Sequence, residues 1–294
     1  MIKQIIAIGI SAVLIMTGCS SKNISNNSNN DNNKKEPNLI YSNLIDKKTQ
    51  NEVRDILIEN KIDKKQADYF IKLVQNYNKI SNIKKLDTSK QGYASIGSLK
   101  VPYDDAYLGE KWNYNKLNYS DFNCRLTAFT IFKDYIKSEG KSKDENSNLM
   151  FDLDAIENNP ISNFSKEDVD KFINLYASIP VENSKDANKL VESIKKEWKN
   201  RKISFVDNPT VSIVSGFLHY PEDKQVFIGH VGISIKTKNE LLFVEKYGSS
   251  LPIQVSKFKD KSELKSYLMD RLDVNTADNR AAKPIIMEND ELME

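Results

Sequence analysis

The apolar residues of this chain change period near residue 209, from the three- and four-residue spacing of helices to the alternation of strands, and return to helical spacing only at 261–272. Helices first and strands after specify an α+β fold with an antiparallel sheet, not the two βαβ lobes of a transporter's ligand-binding subunit. Upstream of the switch, Val53, Ile56 and Leu57 predict a helix over 49–60, and Ala67, Phe70, Ile71, Val74 and Tyr77 a second over 63–80. Leu126, Phe129, Ile131, Phe132, Tyr135 and Ile136 give an apolar face to a third, with Asp121 and Asn123 as candidate N-caps. Two more are expected over 165–179 and 186–200, separated from the third by a charged loop at 141–148. Strands follow at 209–220, 225–236, 241–247 and 253–256, then a helix over 261–272 and an acidic end. Residues 91–119, rich in glycine and tyrosine, are expected to be an irregular approach to the third helix, where substrate contacts tend to be placed.

The N-terminus is of another kind. Lys3 precedes an apolar run, Ile5 to Ile15, that is too short to span a bilayer comfortably and ends in Met16-Thr17-Gly18-Cys19. This is the pattern of a secretory signal peptide over 1–18, and Gly18-Cys19 resembles the lipobox of bacterial lipoproteins, which implies a diacylglyceryl thioether on Cys19. Asparagine, serine and lysine then dominate 19–38, a composition that cannot bury enough apolar surface to fold and is expected to form a tether. Coil statistics give such a segment a reach of roughly 23 Å. The globular part is expected over 39–294 as one domain.

With 43 Lys and Arg against 41 Asp and Glu, interspersed, the chain lacks the basic field that nucleic-acid binding requires. Two cysteines, one assigned to lipid, exclude a disulfide framework and a cysteine-based zinc site; no metal or organic cofactor is expected. Cys124 is then an unpaired thiol in an exported protein. In the first turn of its helix, beside Arg125, it feels the positive helix end and a cation, both of which favour thiolate. A free cysteine is also commonly a small buried hydrophobe, so the thiol alone decides nothing.

Only two histidines are available as a base, His219 and His230. His219 abuts the turn at Pro221, a surface position. His230 lies within a strand, sharing a face with Gly232 and Ser234, while Leu241, Phe243, Glu245 and Tyr247 share a face of the next. Pairing Ile233 with Leu242 and Val231 with Val244 keeps the apolar faces together and sets His230 directly opposite Glu245. Gly229 and Gly232 would leave room for a helix end to approach the ring. Taken singly, His230 reads as a satisfied half-buried histidine and Glu245 as the partner of a lysine such as Lys246. Together with Cys124 they form a nucleophile, base and orienter in that order.

Asn123-Cys124 opening a helix and Gly229-His230-Val231-Gly232-Ile233 on a later strand resemble the papain-like cysteine peptidases, especially the NlpC-type cell-wall endopeptidases. That resemblance implies a papain-like core, a cysteine-bearing helix packed on an antiparallel sheet, here with a helical N-terminal extension. A fuller resemblance, carried by 103–125, 229–247 and Ala282-Lys283-Pro284-Ile285-Ile286-Met287-Glu288-Asn289-Asp290, is to the Gram-positive lipoprotein family catalogued as domain of unknown function 4300. The expectation is a lipoprotein on the outer face of a Gram-positive cytoplasmic membrane, a cysteine hydrolase or acyltransferase acting on amide bonds of the cell envelope, peptidoglycan or peptide. Cys124, His230 and Glu245 would be catalytic and the Cys124 amide an oxyanion donor. The alternative is a non-catalytic surface lipoprotein that binds a wall fragment or a protein.

Overall fold

The computed structural model describes residues 38–83, 92–114, 117–142, 147–182, 184–274 and 280–294. Cys19, with the expected signal peptide and nearly all of the expected tether, lies outside them. The fold is α+β. Its first element is a short strand, β1 (Leu39–Ser42), followed by the helix pair α1 (Lys47–Glu59) and α2 (Lys64–Ile80). Both helices start on an aspartate: Asp46 accepts from the Thr49 amide at 2.9 Å and Asp63 from the Lys65 amide at 2.8 Å, satisfying first-turn donors. The tyrosine-rich stretch contains β2 (Ala94–Ile96) and α3 (Asp105–Tyr114), where the sequence suggested only irregular chain. Ala94 to Ile96 are strand because β1 pairs with them, a contact distant in sequence and invisible to local spacing.

Next come α4 (Cys124–Phe132), β3 (Ile136–Ser138), α5 (Met150–Asn158) and α6 (Lys166–Tyr176). A capping box between Ser165 and Asp168 starts α6, which stops three residues before the expected end, because β4 (Ile179–Pro180) leaves it to join the sheet. After α7 (Ala187–Asn200) and β5 (Ile203–Phe205) the main meander runs through β6 (Val211–Tyr220), β7 (Gln225–Lys236), β8 (Leu241–Lys246) and β9 (Ile253–Phe258). α8 (Lys261–Leu272), β10 (Ile285–Glu288) and β11 (Glu291–Leu292) complete the chain. The acidic end is therefore paired strand.

Every pairing among the described residues is antiparallel, and the large sheet has the order β11-β10-β6-β7-β8-β9-β1-β2, with β4 added on β7. Alternation sends Ile213, Val231, Ile233, Val244 and Val255 into one core with α1, α2, α4 and α6. Val214, Phe243 and Phe258 go to the other, against Leu264, Tyr267 and Leu268 of α8. The sequence suggested one apolar face for α4, but every residue from Leu126 to Phe132 is buried, so the helix is central. Its Leu126, Phe129 and Phe132 are fully buried, each worth about 1.5–3 kcal/mol relative to exposure.

Two irregularities of β7 prepare the site. Gly216 pairs with His230 but Phe217 with Ile228, so Gly229 is the extra residue of a β-bulge. Along its other edge β7 meets β8 at 232–236 and β4 at 225–226, which leaves 227–231 without a strand neighbour there among the described residues. The first turn of α4 meets this stretch: Arg125 Nη1 donates to the Ile228 carbonyl at 3.4 Å.

Candidate functional site

The start of α4 is pinned from two directions. Asn123 is the N-cap, its Oδ1 accepting from the Leu126 amide at 3.1 Å, while its Nδ2 donates to Asp152 at 2.7 Å. Arg125 grips both oxygens of that fully buried carboxylate, at 2.9 and 2.6 Å, a bidentate fork that fixes the turn carrying Cys124 to α5. Asp121, the other cap candidate, does something else. Its carboxylate accepts from Lys246 Nζ at 2.5 Å, and that ammonium, 1% exposed, sits 3.6 Å from the Tyr77 ring centroid. Lys246 is thus the partner of Asp121 and not of Glu245.

Cys124 is half-buried, and its thiol lies close enough to the His230 imidazole for each to shift the other's proton affinity. The imidazole, in a residue 5% exposed, uses Nε2 to donate to Glu245 Oε2 at 2.5 Å, which leaves Nδ1 as the nitrogen open to the thiol. Thiol, imidazole and carboxylate, from α4, β7 and β8, therefore form one chain of contacts. The strand register that achieves this differs from the expected one. Glu245 pairs with Gly232 and Ile233 with Val244, a shift of two residues, so that His230 and Glu245 are diagonal neighbours. The shift follows from the turn. Thr237 and Glu240 close it, with Thr237 N donating to Glu240 O at 2.9 Å and its hydroxyl serving the loop, so Lys238-Asn239 occupy the centre in place of β-branched Thr237. Because the side-chain period is two, the faces are unchanged.

Room at the glycines is used differently from expectation. A Cβ at Gly229 would lie 2.4 Å from Leu218 Cδ1, and one at Gly232 2.4 Å from Phe243 Cζ, so side chains of neighbouring strands take that space. His219 is also not a surface residue. It is 8% exposed, and its Nδ1 accepts from the Ala282 amide at 3.0 Å, because the C-terminal segment returns to pair with β6.

Glu245 sits in a polar cluster built from α8 and the neighbouring strands, which the spacing of β7 and β8 does not reveal. Tyr267 OH donates to its Oε1 at 2.5 Å, and Arg271 donates to its Oε2. Arg271 also donates to Tyr267 OH at 2.9 Å and to the Tyr247 carbonyl at 2.8 Å, and stacks on the Tyr247 ring at 3.8 Å. Behind it Gln254 donates to Tyr267 OH at 3.2 Å and accepts from Tyr103 OH at 2.7 Å. The signal for these residues lies in α8. Leu264, Tyr267, Leu268 and Arg271 share one helical stripe, so the arginine occupies a core-facing position where only a paired charge is tolerable.

The electrostatics follow. Burial, the largest influence, pushes the Cys124 thiol up, but the hydrogen bond and charge of His230, with Arg125, bring it below its ordinary value. Burial and then Arg271 push His230 down, yet the contacts with Cys124 and Glu245 leave it raised. Burial alone would raise Glu245; Arg271, His230 and Tyr267 instead hold its carboxyl down at about 2. The net result favours thiolate, imidazolium and carboxylate together. Among the described residues no group of three or more His, Cys, Asp and Glu converges to hold a metal ion.

Fold and site together define an α+β protein whose sheet carries an imidazole between a helix-terminal thiol and a buried carboxylate. The chain belongs to the family described as Domain of unknown function (DUF4300), whose profile matches residues 40–293. Comparisons with curated proteins and with solved structures give no match.

Proposed function

We propose that this protein is a membrane-anchored cysteine hydrolase or acyltransferase of the cell envelope, with a papain-like arrangement of its core and a helical N-terminal extension. The observation that carries the reading is the hydrogen bond of His230 to Glu245 with the Cys124 thiol placed beside the same imidazole, the three side chains coming from three separate elements. In this reading the Cys124 thiolate attacks an amide carbonyl carbon. The tetrahedral oxyanion is received by the Cys124 N–H, one of the first-turn amides that no helical carbonyl accepts. As the C–N bond breaks, His230 gives its proton to the leaving amine, forming a thioester. Water, deprotonated by His230, or an acceptor amine then resolves the thioester, and the thiol is restored. Glu245 holds the ring with Nε2 protonated and offsets the imidazolium charge. Lipid on Cys19, with 19–38 as the tether, would hold the globular part at the outer face of the membrane; among the described residues no helix is long and apolar enough to cross one.

Burial favours a second reading, the non-catalytic binder of a wall fragment or protein. His230 and Glu245 are almost wholly enclosed, and only the Cys124 side of the cluster is partly open. Two measurements on the full-length protein separate the readings: the pH dependence of iodoacetamide alkylation, followed on the Cys124 peptide by mass spectrometry, and hydrolysis of purified peptidoglycan stem peptides. The hydrolase reading expects a thiolate that titrates below the ordinary thiol value, moves up in His230→Ala, and cleavage that is lost in Cys124→Ala. A thiol that reacts only after unfolding, indifferent to His230→Ala, overturns it and leaves the binder.

A further inference from the structure

The orienting carboxylate is itself held, and the geometry of its holder is more elaborate than packing requires. Glu245 receives three donors besides its contact to His230 at 2.5 Å: Arg271 on Oε2, Tyr267 at 2.5 Å on Oε1, and Gln254 at 3.5 Å on Oε1. Arg271 Nη1 also approaches the imidazole Nε2 to 3.5 Å, so cation, carboxylate and ring meet at one edge. The guanidinium is in turn fixed by the Tyr247 carbonyl and by the Tyr247 and Tyr267 rings, at 3.8 and 5.3 Å. Its side chain is 10% exposed, and a guanidinium so deep is retained at a desolvation cost that an apolar residue on the same stripe would avoid.

We infer that Arg271 is a positioning residue of the site: it clamps Glu245 against α8, so that the carboxylate keeps the His230 ring turned toward Cys124 and meets it with part of its charge already engaged. The inference takes its purpose from the hydrolase reading, but its geometry stands independently. It makes α8, the helix on the opposite face of the sheet from α4, a member of the site. Without the cation, Glu245 would face the ring with its full charge and could turn away from it.

The groups that decide the ring's protonation are named by the structure. On His230 act Cys124 from α4, Glu245 from β8 and Arg271 from α8. Arg125 and Asp152 act on the thiol, and the Cys124 charge is felt at Lys246 and Tyr176. Tyr267, Tyr247 and Tyr103 surround the Glu245–Arg271 pair and stay neutral, burial raising each above the ordinary phenol value.

Because the chain has two histidines, imidazole resonances of the full-length protein are simple to follow, with His219 as an internal control. The test is the titration of His230 and its ¹⁵N tautomer shifts in wild type, Arg271→Gln and Arg271→Lys. Arg271→Gln is expected to raise the His230 midpoint by about 1 unit, the size of one charge removed at this range, and to mix its tautomers, leaving His219 unmoved. Arg271→Lys, which keeps the charge without the fork, is expected to restore the midpoint more than the tautomer. A folded Arg271→Gln protein with wild-type midpoint and tautomer overturns the clamp. Should that variant fail to fold, Arg271→Lys with a wild-type tautomer overturns it instead. A clear shift in these variants, with Cys124 alkylation indifferent to His230→Ala in wild type, leaves the clamp standing and removes the hydrolase reading.

Discussion

Glu245→Gln removes one negative charge from a site that was folded around it, and its cost is expected to depend on pH in a defined way. The Glu245 carboxyl is held at about 2 against an ordinary value of 4.5. A depressed carboxyl contributes stability that is present above its unfolded value and is lost as pH falls through the folded one. At about 1.4 kcal/mol per pH unit, the interval corresponds to about 3 kcal/mol that wild type loses between about pH 5 and pH 2 and the glutamine variant does not. At neutral pH the variant also leaves the Arg271 guanidinium buried without its counter-charge, for which a loss of about 3–5 kcal/mol is expected. Because its proton affinity is raised in wild type, His230 is charged there throughout the acid window, and its own contribution stays constant. Urea unfolding of both proteins at pH 7, 5, 4 and 3, followed by the fluorescence of Trp112 and Trp198, gives the difference directly. A gap of constant size from pH 7 to pH 3 would refute the reasoning, since it would mean that Glu245 titrates normally in the folded protein.

Asp121→Ala strands the Lys246 ammonium, 1% exposed, and is expected to cost about 3–5 kcal/mol in thermal or urea unfolding. The loss should narrow as pH rises toward 10, because burial already lowers the Lys246 proton affinity and the unfolded lysine holds its proton longer; the double variant Asp121→Ala with Lys246→Met should recover most of it. Gly232→Ala places a Cβ 2.4 Å from the Phe243 ring and 2.7 Å from the Val244 carbonyl. Overpacking of this kind is expected to cost about 1–3 kcal/mol and a few degrees of Tm, read by calorimetry, and a neutral result would show that β8 can yield there.

Period alone was sufficient for most of the elements that position the site. The limits of β7 and α8 agree with the spacing of their apolar residues, and those of α1, α2, α7, β6 and β8 lie within one or two residues of it. Face assignment for His230 and Glu245 survived a register that was two residues off, because a shift of two preserves which side a residue occupies. What spacing could not supply was contact between distant segments. β1, β2 and β10 are four residues or fewer, too short for alternation to register, and exist because β9, β1 and β6 pair with them. The same return of the C-terminal segment buries His219, which looked like a surface residue from its turn alone. Between Asp121 and Asn123 the choice of cap depended on Lys246, 125 positions from Asp121. The carboxylate was found, but its holder was not, although an arginine on the apolar stripe of α8 was the available sign.

The gap in the β7 edge between its contacts with β4 and β8 also sets when thiol and imidazole can meet. His230 and Glu245 are joined by a local hairpin with a tight turn, the kind of structure that forms within microseconds. Cys124 must cross more than a hundred residues of chain to reach them, and closure over such a distance is slow and is repaid only once α4 has docked. Until then the thiol has an ordinary proton affinity, without the imidazole that lowers it. The lowered proton affinity of the thiol therefore belongs to the docked chain alone, and the pH at which Cys124 reacts with a mild alkylating agent doubles as a report on whether α4 has closed onto β7.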